Sequence, residues 1–310
     1  MFARAISLAF LIMLSACVAP QEPVPAPSSG VMEAARDAAA SPVHWAQECK
    51  DWDVWEKRAP AFRIHGNTYH VGTCGITAIF IAGPSGHVLF DTGTANGSRQ
   101  VLTNIRVLGF QPENIKAILT SHEHFDHVGG LWWVHQNTGA PIITSAQARG
   151  VIVSGAAHAQ DPQAGMHPPM RPLPAQFVST APAGQPLNIA GLDFTPVETP
   201  GHTPGALSWQ WESCEGSECV TIVYADSLSA VSRSDYRFSD HPDYVQAYRD
   251  GLARLATLKC DILLTPHPSA SGMRDKLLTG DLASGMDCAE YAAHVEARLD
   301  TRIAEEAHAS

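Results

Sequence analysis

Residues 120–130 read TSHEHFDHVGG. The apolar run KAIL enters this stretch and two glycines leave it, so His122, His124, Asp126 and His127 fall where a strand gives way to a turn and a helix. Neutral imidazole and carboxylate together favour a borderline divalent ion, zinc above all. His122 and His124 are two residues apart, while Asp126 and His127 are adjacent. On a strand-to-helix turn, that spacing can aim the first pair at one ion and the second pair at another. Each ion then lacks a ligand. His202 in PGHTPG and His267 in TPHPS, both in strand-end loops, are the obvious suppliers. Three protein ligands per ion leave coordination positions open, the mark of a catalytic rather than a structural site. The chain has 15 histidines, so isolated pairs arise by chance, but a His-x-His-x-Asp-His string at a strand end is far rarer. Glu123, between two candidate ligands, is expected to point away from them and to be structural.

The same pattern repeats outward from this turn. Short apolar runs, GITAIFIAG, HVLFDTG, APIITSA, TIVYADS and DILLTPH, read as strands. Several are nearly continuous in apolar character, as expected where both faces of a sheet are covered. Between them, SRQVLTNIRVLGF and residues 243–258 show helical spacing, and residues 287–308 read as a last helix. Alternation of strand and helix predicts an α/β fold. His122, His202, Asp226 and His267 all lie just past strand ends, where α/β proteins usually keep their chemistry.

The 310 residues carry a formal net charge of −11 and are 45% hydrophobic. That supports one sizeable core and argues against nucleic acid as the main partner. Arg4 precedes the apolar run AISLAFLIML, which ends in LSAC. Residues 1–17 therefore read as an export signal, too short for an ordinary membrane span. LSAC resembles a bacterial lipobox, which would make Cys17 a lipidated residue and a lipid anchor the only membrane contact. Residues 18–44, rich in Pro, Ala and Ser, read as a tether, and residues 45–310 as the folded domain. Val18 follows the cysteine, which favours an outer-membrane address facing the periplasm. The six remaining cysteines, Cys49, Cys74, Cys214, Cys219, Cys260 and Cys288, form an even set in an exported chain and predict disulfides. Fifteen connectivities are open, with nearest-neighbour pairing the expectation.

HEHFDHVGG resembles the H-x-H-x-D-H signature of the metallo-β-lactamase superfamily. DTGT at 91–94, PGHTPG, YADS and the histidine of TPHPS are similar to its other motifs, in the expected order. PGHTPGALSWQW, YADSLSAVS, YRFSDHP and the TPHP block are similar to subclass B3. The resemblance implies a four-layer αβ/βα sandwich, with two central mixed sheets and helices outside. It implies two zinc ions per chain, the first held by His122, His124 and His202, the second by Asp126, His127 and His267. No cysteine ligand is needed, and Ser227 rather than cysteine follows Asp226. The implied activity is hydrolysis of the β-lactam amide of penicillins, cephalosporins and carbapenems, with resistance to these antibiotics as the outcome. A zinc-bound hydroxide needs no serine nucleophile. Asp126 would be catalytic, orienting the hydroxide as well as ligating. Ser227 and Ser229 would bind the substrate carboxylate. Asp91 either supports a ligand from behind or forms the turn beside Gly93. No lysine lies nearby in sequence, so the anionic substrate would be held by zinc and hydroxyls. A monomer is expected.

Two other readings stay open at this level. A lactonase or thioesterase of the same superfamily would use Asp226 as a bridging metal ligand. A non-enzymatic zinc-binding lipoprotein would close its metal coordination. The long, Pro-rich segment 155–174, with His158 and His167, could wall one side of the site. Trp45, Trp52 and Trp55 could form the opposite wall or pack in the core.

Overall fold

The computed structural model describes residues 27–308. Within them, seven strands form one sheet in chain order: β1 (Phe62–His65), β2 (Thr68–His70), β3 (Ile79–Gly83), β4 (Gly86–Phe90), β5 (Ile115–Leu119), β6 (Ile142–Thr144) and β7 (Val178–Thr180). β1 to β4 pair antiparallel and β4 to β7 parallel. The second sheet comprises β8 (Leu187–Ile189), β9 (Leu192–Glu198), β10 (Leu207–Glu215), β11 (Glu218–Tyr224) and β12 (Ile262–Leu264). Its spatial order is β12-β11-β10-β9-β8, and only the β11–β12 pair is parallel. Both sheets are mixed, as the α/β sandwich requires.

Side chains on a strand alternate between the two faces, so each central strand feeds two cores. Val88 and Phe90 of β4, with Ala117 and Leu119 of β5, point between the sheets and meet Trp209, Ile222, Tyr224 and Leu264. Leu89 and Ile118 point the other way. They pack against α3 (Ser98–Val107) and α5 (Leu131–Thr138) through Val101, Leu102, Ile105, Leu131 and Val134. On the second sheet, Val223 and Leu263 turn outward to α7 (Pro242–Ala256) and α9 (Cys288–His308), meeting Leu252, Leu255, Tyr291 and Val295. The layers are therefore helix, sheet, sheet, helix. Full cover on both faces explains why AIL of β5 and IVY of β11 read as continuous apolar runs. Two contacts lock the sheets together beside the histidine-rich turn. The Trp209 indole donates to the Thr120 carbonyl at 2.9 Å, and the Leu207 N–H donates to the Ser121 carbonyl at 2.7 Å.

The amino-terminal part of this body begins earlier than composition suggests. α1 (Ser29–Ala38) starts at a Ser28 cap, and α2 (Pro42–Glu48) starts at a Ser41 cap. Ala35 is fully buried among the core residues, and Ala40 bridges to Phe62. The described part of the 18–44 tether thus belongs to the folded body. Its alanines read as low complexity, but alanine is also the best helix former, and Ala35 docks with Met32 and Ala39 packed beside it. The signal segment 1–17, Cys17 and the first part of the tether lie outside the described residues.

Three disulfides staple the fold. Cys49–Cys74 ties the end of α2 to the segment before β3, with 5.2 Å between Cα atoms. Cys214–Cys219 closes the β10–β11 hairpin at 4.0 Å. Cys260–Cys288 ties the start of α9 to the segment before β12 at 5.8 Å.

Candidate metal centre

β5 ends at Leu119, and the chain turns through Thr120 to His124 into the short helix α4 (Phe125–Val128). Asp126 and His127 occupy the first turn of α4. His202 sits in the β9–β10 loop, Ser227 to Ser229 just past β11, and His267 just past β12. Four strand ends from two sheets therefore converge. The β9–β10 loop can approach closely because of its glycines. Gly201 has φ +152°, and an added Cβ there would lie 2.2 Å from the Tyr248 ring. A Cβ on Gly205 would strike the Glu123 carboxylate at 2.6 Å. Glu123 does point away from the histidines. It accepts from the Thr203 hydroxyl at 2.7 Å and the Gly205 N–H at 3.0 Å, so it pins the His202 loop to the motif.

Two groups of donors result. The ligand-capable atoms of His122, His124 and His202 lie within 4.8 Å of one another, as do those of His122, Asp126 and His127. His124 Nδ1 and His202 Nε2 are 3.1 Å apart. Two nitrogens on one tetrahedral zinc stand about 3.3–3.4 Å apart, given Zn–N bonds of about 2.0–2.1 Å. Asp126 Oδ2 is 3.1 Å from His127 Nε2 and 3.2 Å from His267 Nε2. His267 thus joins the Asp126–His127 side. His122 Nε2 and both ring nitrogens of His127 are buried without a hydrogen-bond partner among the described residues. The Asp126–His127 approach is close but outside hydrogen-bond angles, which suits two lone pairs aimed at a common ion. The donor set fits zinc: imidazole and carboxylate, largely buried and convergent, with the His122 and His127 nitrogens left bare.

Most of these rings are also held from behind, which fixes the nitrogen left for a metal. His122 Nδ1 lies 2.7 Å from Asp226 Oδ1 and 3.1 Å from the Ser121 hydroxyl. The Asp226 oxygen has no angularly correct hydrogen bond, so that contact is electrostatic rather than a well-formed bond. His124 Nε2 meets both carboxylate oxygens of Asp161 at 3.1 and 3.3 Å. His202 Nδ1 meets the Ser229 carbonyl at 3.0 Å and its hydroxyl at 2.9 Å. His267 Nδ1 lies 3.3 Å from the Gly75 carbonyl. Asp91 acts one step further back, accepting from the Ser121 N–H, the Ser121 hydroxyl and the Tyr224 hydroxyl at 2.8, 2.7 and 2.7 Å. Burial and the neighbouring imidazoles depress the basicity of His122, and they push His202 down to about 3. Both rings are therefore neutral at physiological pH, the form that ligates. Burial opposes a charge on Asp126, but His127 and His267 outweigh it and hold the carboxyl well below its usual range.

Of the four described non-glycine residues in the left-handed region, all but Ala190 lie at or beside this place, Trp52 (φ 51°) among them. Asp91 (φ 56°) and Leu228 (φ 47°) are the other two. Such conformations persist only where the surroundings over-determine them. At Leu228 the surroundings are two buried tyrosines. Tyr248 donates to the Leu228 carbonyl, and Tyr291 donates to the Ser227 carbonyl at 2.8 Å. The turn bearing Ser227 and Ser229 is thus set by α7 and α9. Above the donors lies a cavity of about 360 Å³, whose lining includes Trp52, Trp55, His167, Ser227, Val231 and Arg298. That volume is in the range of small-molecule sites.

The sequence profile of the metallo-beta-lactamase superfamily matches residues 71–267, which include every donor named above. The chain belongs to this superfamily. Among solved structures, it is similar to MIM-2 metallo-beta-lactamase at 48% identity and TM-score 0.80, covering 86% of this chain and 99% of that one. It is similar to metallo-beta-lactamase MIM-1 from Novosphingobium pentaromativorans at 44% identity and TM-score 0.82, with the same coverage. It is also similar to MEM-A1, a subclass B3 metallo-beta-lactamase from a soil metagenome library, at 35% identity and TM-score 0.78, covering 83% and 100%. A curated relative, the probable metallo-hydrolase YflN of Bacillus subtilis (strain 168), is 22% identical over 66% of this chain and 83% of that protein.

Within this metallo-β-lactamase-like site, the remaining residues singled out by sequence are placed as follows. Ser227 lines the cavity with a buried hydroxyl that has no partner among the described residues. Ser229 also lines it, with its hydroxyl on His202. Trp45 is buried in the core, whereas Trp52 and Trp55 flank His267 at ring separations of 6.1 and 6.2 Å. His167 faces Trp55 across the cavity at 6.1 Å, while His158 accepts from the Gln160 N–H within its own loop. Three residues escaped the sequence reading. Asp161 and Gln163 come from the Pro-rich loop, which holds no apolar period to place it. Arg298 comes from α9, far along the chain, although the acidic net charge made any cation near the site worth seeking.

Proposed function

We propose that the protein hydrolyses the amide bond of β-lactams, with penicillins, cephalosporins and carbapenems as substrates and antibiotic resistance as the outcome. The observation that carries this reading is the convergence of six metal-ligating side chains beneath one cavity, whose lining includes His124, Asp126, His202 and His267. His122, His124 and His202 would hold one zinc ion, and Asp126, His127 and His267 a second. Bound zinc would supply a hydroxide nucleophile near neutral pH and polarise the lactam carbonyl. The chain's own residues supply the rest. Asp126 has one oxygen among the imidazoles, which leaves the other to accept a hydrogen bond from the attacking water and aim it. The partnerless Ser227 hydroxyl supports a contact with the substrate carboxylate. Ser229 can bridge His202 to the same group. Among the described residues, Arg298 is the one guanidinium in the lining and no lysine joins it, so it supplies the positive charge that proximity in sequence did not suggest.

The Asp226 position speaks against the superfamily's lactonase-like alternative. Its carboxylate sits behind His122, on the ring nitrogen opposite the bare Nε2. A bridging role would require it to leave that place. A non-enzymatic zinc binder would have no use for a cavity of drug-like size beside two open clusters. The six donors are complete within one chain, so the site needs no residue from a second copy, and we read the working unit as a monomer. For location, we read the periplasm: three disulfides need an oxidising compartment. No helix among the described residues is long and apolar enough to cross a membrane. A lipid on Cys17 would add an outer-membrane anchor. Replacing Cys17 by Ser should then release the protein from membranes, and wild-type protein found soluble with a mature start beyond Cys17 would overturn the anchor.

The deciding experiment for catalysis uses purified protein, a chromogenic cephalosporin and a carbapenem. Turnover should be lost on exhaustive chelation, restored by zinc and untouched by serine-directed inhibitors. Turnover undiminished after complete zinc removal would overturn the reading.

A further inference from the structure

The loop from 155 to 174 does more than wall the cavity. Its carboxylate Asp161 is 2% exposed, and no lysine or arginine side chain reaches its oxygens among the described residues. Arg233 lies close, but its guanidinium donates at 3.3 Å to the Asp161 backbone carbonyl, and its N–H donates to the Pro162 carbonyl. The carboxylate is served by the Gln163 N–H at 2.8 Å and by His124 Nε2. A buried carboxylate is costly unless its oxygens are satisfied, so His124 must present an N–H there. The same loop touches the second histidine of that cluster, because the Gln163 side-chain amide lies 3.5 Å from His202.

Behind the loop lies a second cavity of about 370 Å³, lined by Gly155, Ala157, Asp161, Gln163, His167 and Met170 among others. The loop is therefore a strap between two cavities rather than a lid on solid core. It is closed at its base, where the Met170 N–H donates to the Gly155 carbonyl at 3.0 Å. Its middle is held by the Arg233 N–H on the Pro162 carbonyl and by His167 packed on Trp55 and His124, while the Asp161 carboxylate makes its polar contact with a ring of the metal cluster.

We propose that Asp161 is a positioning residue that fixes the proton of His124 on Nε2, presents Nδ1 to the first zinc, and thereby couples the strap to that ion. The inference rests on the reading of His124 as a zinc ligand. A metal on Nδ1 forces the proton onto Nε2, where Asp161 needs a donor. Without it, the other tautomer turns a lone pair toward the carboxylate. Each partner thus favours the other, and the coupling is reciprocal: the strap strengthens the ion, and the ion orders the strap.

The test titrates zinc-loaded wild type, Asp161→Ala and Asp161→Asn with a competing chelator and counts the zinc retained. In Asp161→Ala, one of two ions should leave at about 10- to 100-fold lower chelator, with the other unchanged. Asp161→Asn keeps an uncharged acceptor oxygen and should fall between. Hydrogen exchange gives a second readout that does not depend on a variant folding. Removing zinc from wild type should speed exchange across residues 156–170. In Asp161→Ala, exchange there should be the same with and without zinc. A release curve for Asp161→Ala that superimposes on wild type, or equal loss of both ions, would overturn the proposal. So would wild-type exchange that ignores zinc. Wild-type protein that holds no zinc at all would sink the ligand reading first, and this inference with it.

Discussion

Two sets of buried histidines occupy this molecule, and they differ in almost everything but burial. His70 is fully buried against Trp45 and Phe62, stacked on the latter at 5.1 Å, and neither ring nitrogen has a partner among the described residues. Burial alone pushes its pKa down to about 3. His87 is similar, set between Phe80 and Phe110 and pushed down to about 4, chiefly by burial. His202 is equally buried and also pushed down to about 3. Depressed basicity therefore does not distinguish a metal site from a core. What distinguishes His202, and His124 beside it, is an oxygen behind one ring nitrogen and convergence of the other with its neighbours. His70 behaves as an aromatic filler with unsatisfied polar atoms, whereas His202 is aimed.

The largest test of that contrast pairs His202→Ala with His70→Leu. Loss of a residue that merely orients a ligand typically costs about 10- to 100-fold in metal affinity or activity, so loss of a ligand itself should exceed about a hundredfold in kcat/KM. His267→Ala should do the same and release the other ion. His70→Leu should leave zinc content and turnover within about twofold of wild type, since it removes two unsatisfied nitrogens from an apolar site. A wild-type rate in His202→Ala, or zinc loss in His70→Leu, would break the comparison.

A smaller effect lies in acid stability. The folded-state pKa of His70 is below its unfolded value, so protons bind the unfolded chain preferentially. The resulting destabilisation is absent above about pH 6.5 and grows as pH falls toward about 3, at up to about 1.4 kcal/mol per pH unit. Denaturant titrations at pH 7 and pH 5 should show wild type losing about 2 kcal/mol more than His70→Leu over that interval. Equal losses would show that His70 finds a hidden partner.

The smallest effect concerns charge at the cavity wall. Arg298→Ala should raise KM for anionic β-lactams about five- to tenfold, a rim-charge effect of about 1 kcal/mol, with kcat and zinc content unchanged. The difference should shrink with added salt. A changed kcat with constant KM would place Arg298 in the chemistry rather than in binding.

Much of this was legible in the chain. The string HEHFDH at a strand end, and the histidines of PGHTPG and TPHPS, carry their meaning locally, because metal coordination demands particular side chains at short spacing. The apolar runs marked β3 to β6, β11 and β12, because strands buried on both faces leave little room for polar residues. The short strands β1, β2 and β8 left no such mark, since most of their residues are polar or only partly buried. Nor did the alanine-rich α1, which docks through the buried Ala35 with Met32 and Ala39 packed beside it.

The residue types, their order and the turn that presents them were thus determined by the sequence itself. Which oxygen stands behind which imidazole was decided only by the tertiary structure. Asp226 behind His122, Asp161 behind His124 and Ser229 behind His202 are separated from those rings by 104, 37 and 27 positions. Arg298 reaches the cavity from the last helix. Contacts across such distances depend on how two sheets and two helical layers pack, and packing is set by volume and burial summed over the whole core rather than by any local pattern.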